Sequence, residues 1–482
     1  MRASFSLAVL LLAVAGCSAT TLDYSECDTN AQCRAQFGFG FVCGGGGLCE
    51  EAAASARCNS RFPEDLFAFP DRHKQTVVFG NLMDRSLATH RARELSARLA
   101  VKQATEEGGL DLRDVGIVFC TIAEDPEFGD FLTREEAAAD SADYLIHTLG
   151  VPAIIGPAAS DDVQYVFQIH RDTGTLFISP SATSPALTEL DVTEPTDAMP
   201  GMLWRTAPPD SLQGAAIAYD MRAPGLGRAT AVQTVAVVHH TGAYGAALAN
   251  VFATEFQADG GQATLLPFEN SGEMSEKIGQ AAIGDFDEVL FVSSQTTDAI
   301  AFMDSAAELP GFDAKGIFLT DAAANPDLLM LADAARFPQV RGTRQAPRDE
   351  TRDLVYASFI AAYASEYSED VTQFSFTANA YDAAWLLSYG ASWSLFQEGD
   401  ITGAGMARGL RKLSAGNEIE TRATTWNQVV ESFRSGTGVD ISGASGDLDY
   451  DPNTEETSGD IETWRIEGGA IVGIETWPPA GG

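Results

Sequence analysis

The stretch that decides the fold is Val151–Pro180, VPAIIGPAASDDVQYVFQIHRDTGTLFISP. VPAIIGP reads as a buried strand, DDVQYVFQIHRDTG as a helix and TLFISP as a second strand, together one βαβ unit. The chain then runs into SATSPALT, so FISPSATSPALT (Phe177–Thr188) sets a crowd of hydroxyls and prolines directly after a buried strand. In an open α/β sheet such a loop lies at the carboxyl end of its strand, where ligands bind.

The same rhythm extends on both sides. Upstream, QTVVFGNLM (Gln75–Met83) is a strand, and SLATHRARELSARLAVKQATEEGG carries Ala88, Ala92, Leu95 and Leu99 at helical spacing before a Gly108–Gly109 stop. DVGIVFC then reads as a strand and EEAAADSADYLIHTLG as a helix. Downstream the rhythm restarts with TVAVVHH (Thr234–His240), the helix YGAALANVFATEFQADGG, and the strands ATLLPF, DEVLFVSS and KGIFLTD. LWRTAPPDSLQGAAIAYDM (Leu203–Met221) bridges the two series. Helical material returns at Asp349–Glu369 and in ANAYDAAWLLSYGASWSLFQ, and ETWRIEGGAIVGI closes the chain as a hairpin. A restart of this kind predicts two doubly wound parallel-sheet α/β lobes rather than one large sheet.

Composition narrows the function. The 482 residues hold 68 Asp+Glu against 30 Lys+Arg, a formal charge of -38, with 45% hydrophobic residues. A surface that negative repels phosphate backbones and anionic lipid, which excludes a nucleic-acid role. After Arg2, SFSLAVLLLAVAGC is too short to span a bilayer and suits a secretory segment. No other stretch approaches the length and apolarity of a span.

Of the seven cysteines, Cys27, Cys33, Cys43, Cys49 and Cys58 crowd into a Gly-rich segment that cannot bury a core of its own. Two bridges among the first four are expected, with three pairings open, leaving Cys58 and Cys120 for each other. A four-cysteine zinc site is the alternative, but the spacings lack CxxC knuckles.

Five pieces now carry a likeness: VPAIIGPAAS…GTLFISPSATSPALT, LWRTAPPDSLQG, TGAYGAAL, NAYDAAWLL and SGASGDLDYD. In that order and spacing they resemble type I periplasmic binding proteins, and more narrowly the branched-chain amino-acid (leucine-binding-like) receptors of ABC transporters. The resemblance covers Gln75 to Ile474. It implies hinge strands near Trp204–Ala207, Val340–Arg344 and Asp440–Leu448. The resulting division is 1–16 signal peptide, 17–58 linker and Cys-rich module, 75–206 and 341–440 lobe one, 207–340 and 441–482 lobe two. VAGC (Val14–Cys17) resembles a bacterial lipobox, implying an exported lipoprotein held in the cell envelope by acyl chains on Cys17.

The resemblance also implies a site. Ser160 matches a serine that holds a ligand carboxylate, Ser181 and Ala182 sit where backbone contacts fall, and Thr183 matches a threonine for carboxylate and amino group. Tyr244 in AYG matches an aromatic that closes over the ligand, and Asp321 in FLTD falls near an acid that meets an ammonium. Each has a plainer reading: Ser160 suits an N-cap, Ser181 and Thr183 suit turns, Tyr244 suits packing and Asp321 a cap. The chain departs from the family at MDRSLATH after the first strand and at His239–His240, where a structural role outweighs a metal pair.

No GxSxG, GxxxxGK[ST] or HExxH motif is present, so neither an enzyme nor a cofactor is expected. DLDYDPNTEE (Asp447–Glu456) lacks the glycine of a calcium loop and reads as a surface turn. The expected function is capture of a small amino acid or carboxylate between the lobes for an ABC permease or for sensing. The alternative is a ligand-less bilobed protein that regulates an envelope partner through its Cys-rich module.

Overall fold

The computed structural model describes residues 26–124, 128–192, 194–223 and 228–478. Residues 1–25, on which the expected signal peptide and the expected lipidation of Cys17 fall, lie outside the described residues. Among the described residues no helix is long and apolar enough to cross a membrane.

The N-terminal module is one short helix, α1 (Asn30–Phe37), against a two-stranded ribbon of β1 (Phe41–Cys43) and β2 (Cys49–Glu51). Its bridges are Cys27–Cys43 and Cys33–Cys49, which resolves the three pairings and removes the zinc alternative. Cys58–Cys120 fastens the module's exit to the first lobe. A segment this small cannot fill a core, so cross-links hold it.

The first lobe is built on β3 (Ser60–Phe62), β4 (Val77–Met83), β5 (Val115–Thr121), β6 (Ala153–Ile155), β7 (Leu176–Ser179) and β8 (Leu203–Arg205), in the sheet order β3-β5-β4-β6-β7-β8. All pairings are parallel except that of β3, an edge strand the sequence did not announce. Alternate residues of β4 enter two cores. Val77 and Phe79 join α2 (Ala88–Glu106), while Val78 and Leu82 join α3 (Arg134–Asp143) and α4 (Ser160–His170). Burial on both faces is what parallel strands require.

The second lobe repeats the plan. Its strands are β9 (Thr234–His240), β10 (Gln262–Phe268), β11 (Glu288–Val292), β12 (Gly316–Leu319) and β13 (Val340–Gln345), in the order β10-β9-β11-β12-β13. Helices α5 (Ser211–Arg222) and α6 (Ala243–Ala258) cover one face; α7 (Ser271–Ile283), α8 (Thr296–Glu308) and α9 (Pro326–Leu331) cover the other. The chain then returns to the first lobe. There α10 (Leu354–Tyr367), α11 (Thr377–Trp393), α12 (Gly403–Leu410), the β14 (Asn417–Glu420) and β15 (Val439–Ser442) pair and α13 (Trp426–Arg434) complete the large core around Trp385 and Trp426. It ends in the expected hairpin, β16 (Ile461–Glu467) and β17 (Ala470–Trp477), which pairs antiparallel to β13.

The first passage between lobes runs on from Trp204–Ala207, between β8 and α5, but the other two differ from those read in the sequence. Val340–Arg344 lies wholly within the second sheet, and the crossing follows it. Ile441, Ala444, Leu448 and Tyr450 belong to the first core, so the last crossing falls after Tyr450, not at Asp440–Leu448. DLDYDPNTEE is not a free surface turn either. Glu455 is 5% exposed, accepting from Gly201 N at 2.7 Å and from Arg411, and Glu456 accepts from Arg205 Nε at 3.0 Å.

Candidate ligand-binding cleft

Both sheets reverse direction of growth at one place, between β4 and β6 in the first and between β9 and β11 in the second. The carboxyl ends of strands beside such a switch point leave a crevice. In the first lobe Gly156 makes the close approach there: its φ is +97°, and a Cβ would lie 2.4 Å from Leu82 O. The two crevices face each other and form a cavity of about 30 Å³, lined by Thr89, Arg93, Ser160, Thr183, Tyr244 and Asp321 among others.

The lobes are shut on one another. Thr89 Oγ1 donates to Asp327 at 3.0 Å, Ser294 Oγ to Asp161 at 2.5 Å, and Ser184 Oγ to Ala243 O at 2.6 Å, each pairing one lobe with the other. The cavity that remains has room for little more than water. A larger hollow of about 230 Å³ lies between the Cys-rich module and the first lobe. The interlobe cavity is the better candidate, because polar groups of both lobes converge on it.

The first-lobe wall is made of hydroxyls and one cation. Ser160 is the first residue of α4; the N-cap is Ala159, so capping is not what Ser160 does. Its Oγ accepts from Ser184 N at 3.2 Å. The leading amides of α4 have no partners within the helix and give this wall a positive character. Ser181 Oγ donates to Ala158 O at 2.9 Å and accepts from Arg93 Nη1 at 3.0 Å. Thr183 is 5% exposed, and its Oγ1 makes no close hydrogen bond, the Asp210 side chain being the polar group beside it. Ala182 does not join them: its N–H donates to Ser179 Oγ at 3.1 Å and its methyl packs with Val163 and Leu187.

The second-lobe wall is acidic. Tyr244 O–H donates to Asp321 Oδ1, which also accepts from Gln213 Nε2 at 3.2 Å. Burial raises the Asp321 carboxyl, and burial with the nearby charges of Asp321 and Asp210 raises the Tyr244 phenol well above its ordinary range. Asp210 stands behind them, 1% exposed, beside the Thr183 hydroxyl; burial and the charge of Asp321 push it well above the usual carboxylate range.

Among the lining residues that escaped the sequence reading, Thr89, His90 and Arg93 stand together on the first-lobe side. All come from MDRSLATH and the start of α2. His90 Nδ1 accepts from Asp84 N at 3.2 Å, and burial pushes its imidazole well down, so it is neutral. Arg93 is 6% exposed, bonds Ser181 and Ser375, and lies over Phe376; burial lowers it to about 10, which leaves it cationic at neutral pH. The signal was legible in principle, because Arg93 sits four residues after Thr89 and four before Ala97 on a buried stripe. His239 and His240 hold turn structure. His239 Nδ1 lies 3.1 Å from His240 O, and His240 Nδ1 accepts from Gly242 N at 3.0 Å.

A family model described as the receptor family ligand binding region matches residues 92–469. The chain belongs to this family. The chemotactic signal transduction system substrate-binding protein BasB of Halobacterium salinarum is 26% identical over 415 residues, 83% of this chain and 89% of that protein. The leucine binding protein LivK of Thermotoga maritima is similar in fold, with a TM-score of 0.63 at 19% identity over 83% of this chain and 98% of its own. LivJ of Streptococcus pneumoniae, solved with isoleucine, gives 0.61 at 18% identity over 83% and 99%. The two-lobed type I periplasmic binding fold expected from the sequence is thus the fold of this chain. The Cys-rich module precedes the matched region.

Proposed function

We propose that this chain captures a small zwitterionic solute, an amino acid or close relative, between its lobes. The observation that carries the reading is opposed polarity across one cleft. On one side stand the α4 N-terminus, the buried Thr183 hydroxyl and Arg93; on the other stand Asp321 and Tyr244. A carboxylate suits the first wall and an ammonium the second. Ser160, Ser181 and Thr183 would meet the carboxylate, and Asp321 and Tyr244 the ammonium.

Binding requires the lobes to part and reclose, since the present cavity is too small for such a ligand. Only the reclosed form offers both walls, so the solute shifts the open–closed equilibrium. The names of BasB and LivJ support a solute receptor that feeds a permease or reports to a sensory partner, not an enzyme. Export and tethering through Cys17 agree with three disulfides in the described residues.

The test is thermal unfolding of the full chain in detergent against amino acids, aromatic and aliphatic carboxylates, and amides. A true ligand at a hundredfold excess over its dissociation constant stabilises by about 2.7 kcal/mol. A clearly smaller shift in Thr183→Ala and Asp321→Asn at the same ligand concentration, with both variants folded, supports the assignment. A flat panel favours the ligand-less partner protein and turns attention to the module.

A further inference from the structure

Far from the cleft, at the ends of two helices of the first lobe, two histidines and an aspartate meet. Asp143 closes α3, His147 follows one turn later in a π-helical turn, Tyr144–Thr148, and His170 closes α4. Asp143 Oδ1 lies 3.6 Å from His147 Nε2 and 3.8 Å from His170 Nδ1. One ligand atom from each of the three residues falls within 4.8 Å of the other two.

These separations are too long for hydrogen bonds. They are close to the edges of a tetrahedron around a cation whose ligands stand at about 2.0–2.2 Å. His170 adds an independent sign. It is 1% exposed, and neither of its ring nitrogens has a hydrogen-bond partner. A buried imidazole aimed at a carboxylate yet bonded to nothing is an unusual arrangement for a residue whose work is only structural.

We propose that Asp143, His147 and His170 form a binding site for a first-row divalent cation of the zinc type, with water completing its coordination. Imidazole and carboxylate together suit zinc, nickel or copper better than calcium or magnesium. Asp143 and His147 are exposed and can close the remaining gap. An open groove lined by His147, Gly150, Thr173 and Thr402 gives the ion access.

The place has structural consequence. Asn30 Nδ2 of the Cys-rich module donates to His147 O at 2.8 Å, and Arg34 donates to Leu149 O. An ion here would clasp α3 to α4 beneath the seat of the module. The cysteines of the module are not competitors, because their sulfurs are paired.

The test is equilibrium dialysis of the tag-free full chain against Zn²⁺ alone, with the retained metal counted and the unfolding midpoint followed as Zn²⁺ rises. One Zn²⁺ per chain and a rising midpoint are expected. His147→Ala and Asp143→Asn, both at exposed positions, should each weaken Zn²⁺ binding by about tenfold or more, the loss seen for weaker disturbances of metal sites. Asp172→Asn, an exposed neighbour outside the triad, should leave it unchanged. No retained Zn²⁺ in the wild type, or equal retention by His147→Ala, would overturn the site.

Discussion

Two buried charge clusters in this protein are wired in opposite ways. Beside the hinge, every cation meets a carboxylate. Arg205 donates to Glu456, to Ser184 O at 2.7 Å and to Thr188 Oγ1 at 2.8 Å; Arg411 donates to Glu455 and to Asp197 at 2.8 Å. In the cleft, Asp210, Asp321 and Tyr244 crowd together, and Arg93 spends its N–H groups on Ser181 and Ser375. The hinge cluster is complete within the chain. In the cleft no cation among the described residues is hydrogen-bonded to Asp210 or Asp321, and a buried polar network left incomplete in this way marks a site awaiting a partner.

If that contrast is right, the two clusters must answer mutation differently. The largest effect belongs to the hinge. Arg205→Ala leaves Glu456 partly buried without its cation and should cost about 3 kcal/mol or more in urea unfolding. A loss under about 1 kcal/mol would place the hinge pair with ordinary surface bridges, and the contrast would fail.

The cleft should trade stability for binding. Asn at position 321 keeps an acceptor oxygen for Tyr244 and Gln213 but carries no charge for an ammonium. Asp321→Asn should leave the urea midpoint near that of the wild type while weakening ligand binding by about 2 kcal/mol, roughly thirtyfold. Instability like that of Arg205→Ala would instead make the acid part of the scaffold.

Protonation sharpens the same contrast. Asp210 is raised by burial and by Asp321, so the folded state holds its proton more tightly than the unfolded chain does. Its stabilising share is fully present below the unfolded value of about 3.9 and is lost as pH rises through the folded value. The wild type should therefore lose stability relative to Asp210→Asn from about pH 4 upward. Urea midpoints of the two proteins, compared between acidic and slightly alkaline buffer, read the effect directly. Parallel curves would mean that Asp210 titrates normally.

The fold was open to reading because strand and helix impose different periods, and loops at strand ends are recognisable by their hydroxyls and prolines. Ser160, Ser181, Thr183, Tyr244 and Asp321 do line one cavity. What escaped depended on contacts remote in sequence. Arg93 hides on a helix whose apolar spacing drew attention to Ala92 and Leu99, and it is buried because Ser375 and Phe376 come back from the far side of the hinge to cover it. Glu455 and Glu456 looked like solvent-facing acids because Arg411 and Arg205, which neutralise them, are 44 and 251 residues away. Ala182 failed for a local reason: its amide is taken by the hydroxyl of Ser179, three residues earlier in the same turn.

The smallest effect is the most discriminating. Thr183 Oγ1 is buried with no close hydrogen bond, only the Asp210 side chain standing near it, so the hydroxyl costs stability in the unliganded protein. Val has nearly the same shape and lacks the hydroxyl, and the backbone bond from Asp210 N to Thr183 O, 2.8 Å, is unaffected by the change. Thr183→Val should raise the unfolding free energy by about 1 kcal/mol and weaken ligand binding by a similar amount. The two signs together are the point. A structural threonine would lose stability on replacement and leave binding alone, whereas a hydroxyl held in reserve for a ligand does the reverse. A fall in stability would show that Oγ1 is already engaged within the protein, and the carboxylate wall would then have to rest on Ser160, Ser181 and the α4 amides alone.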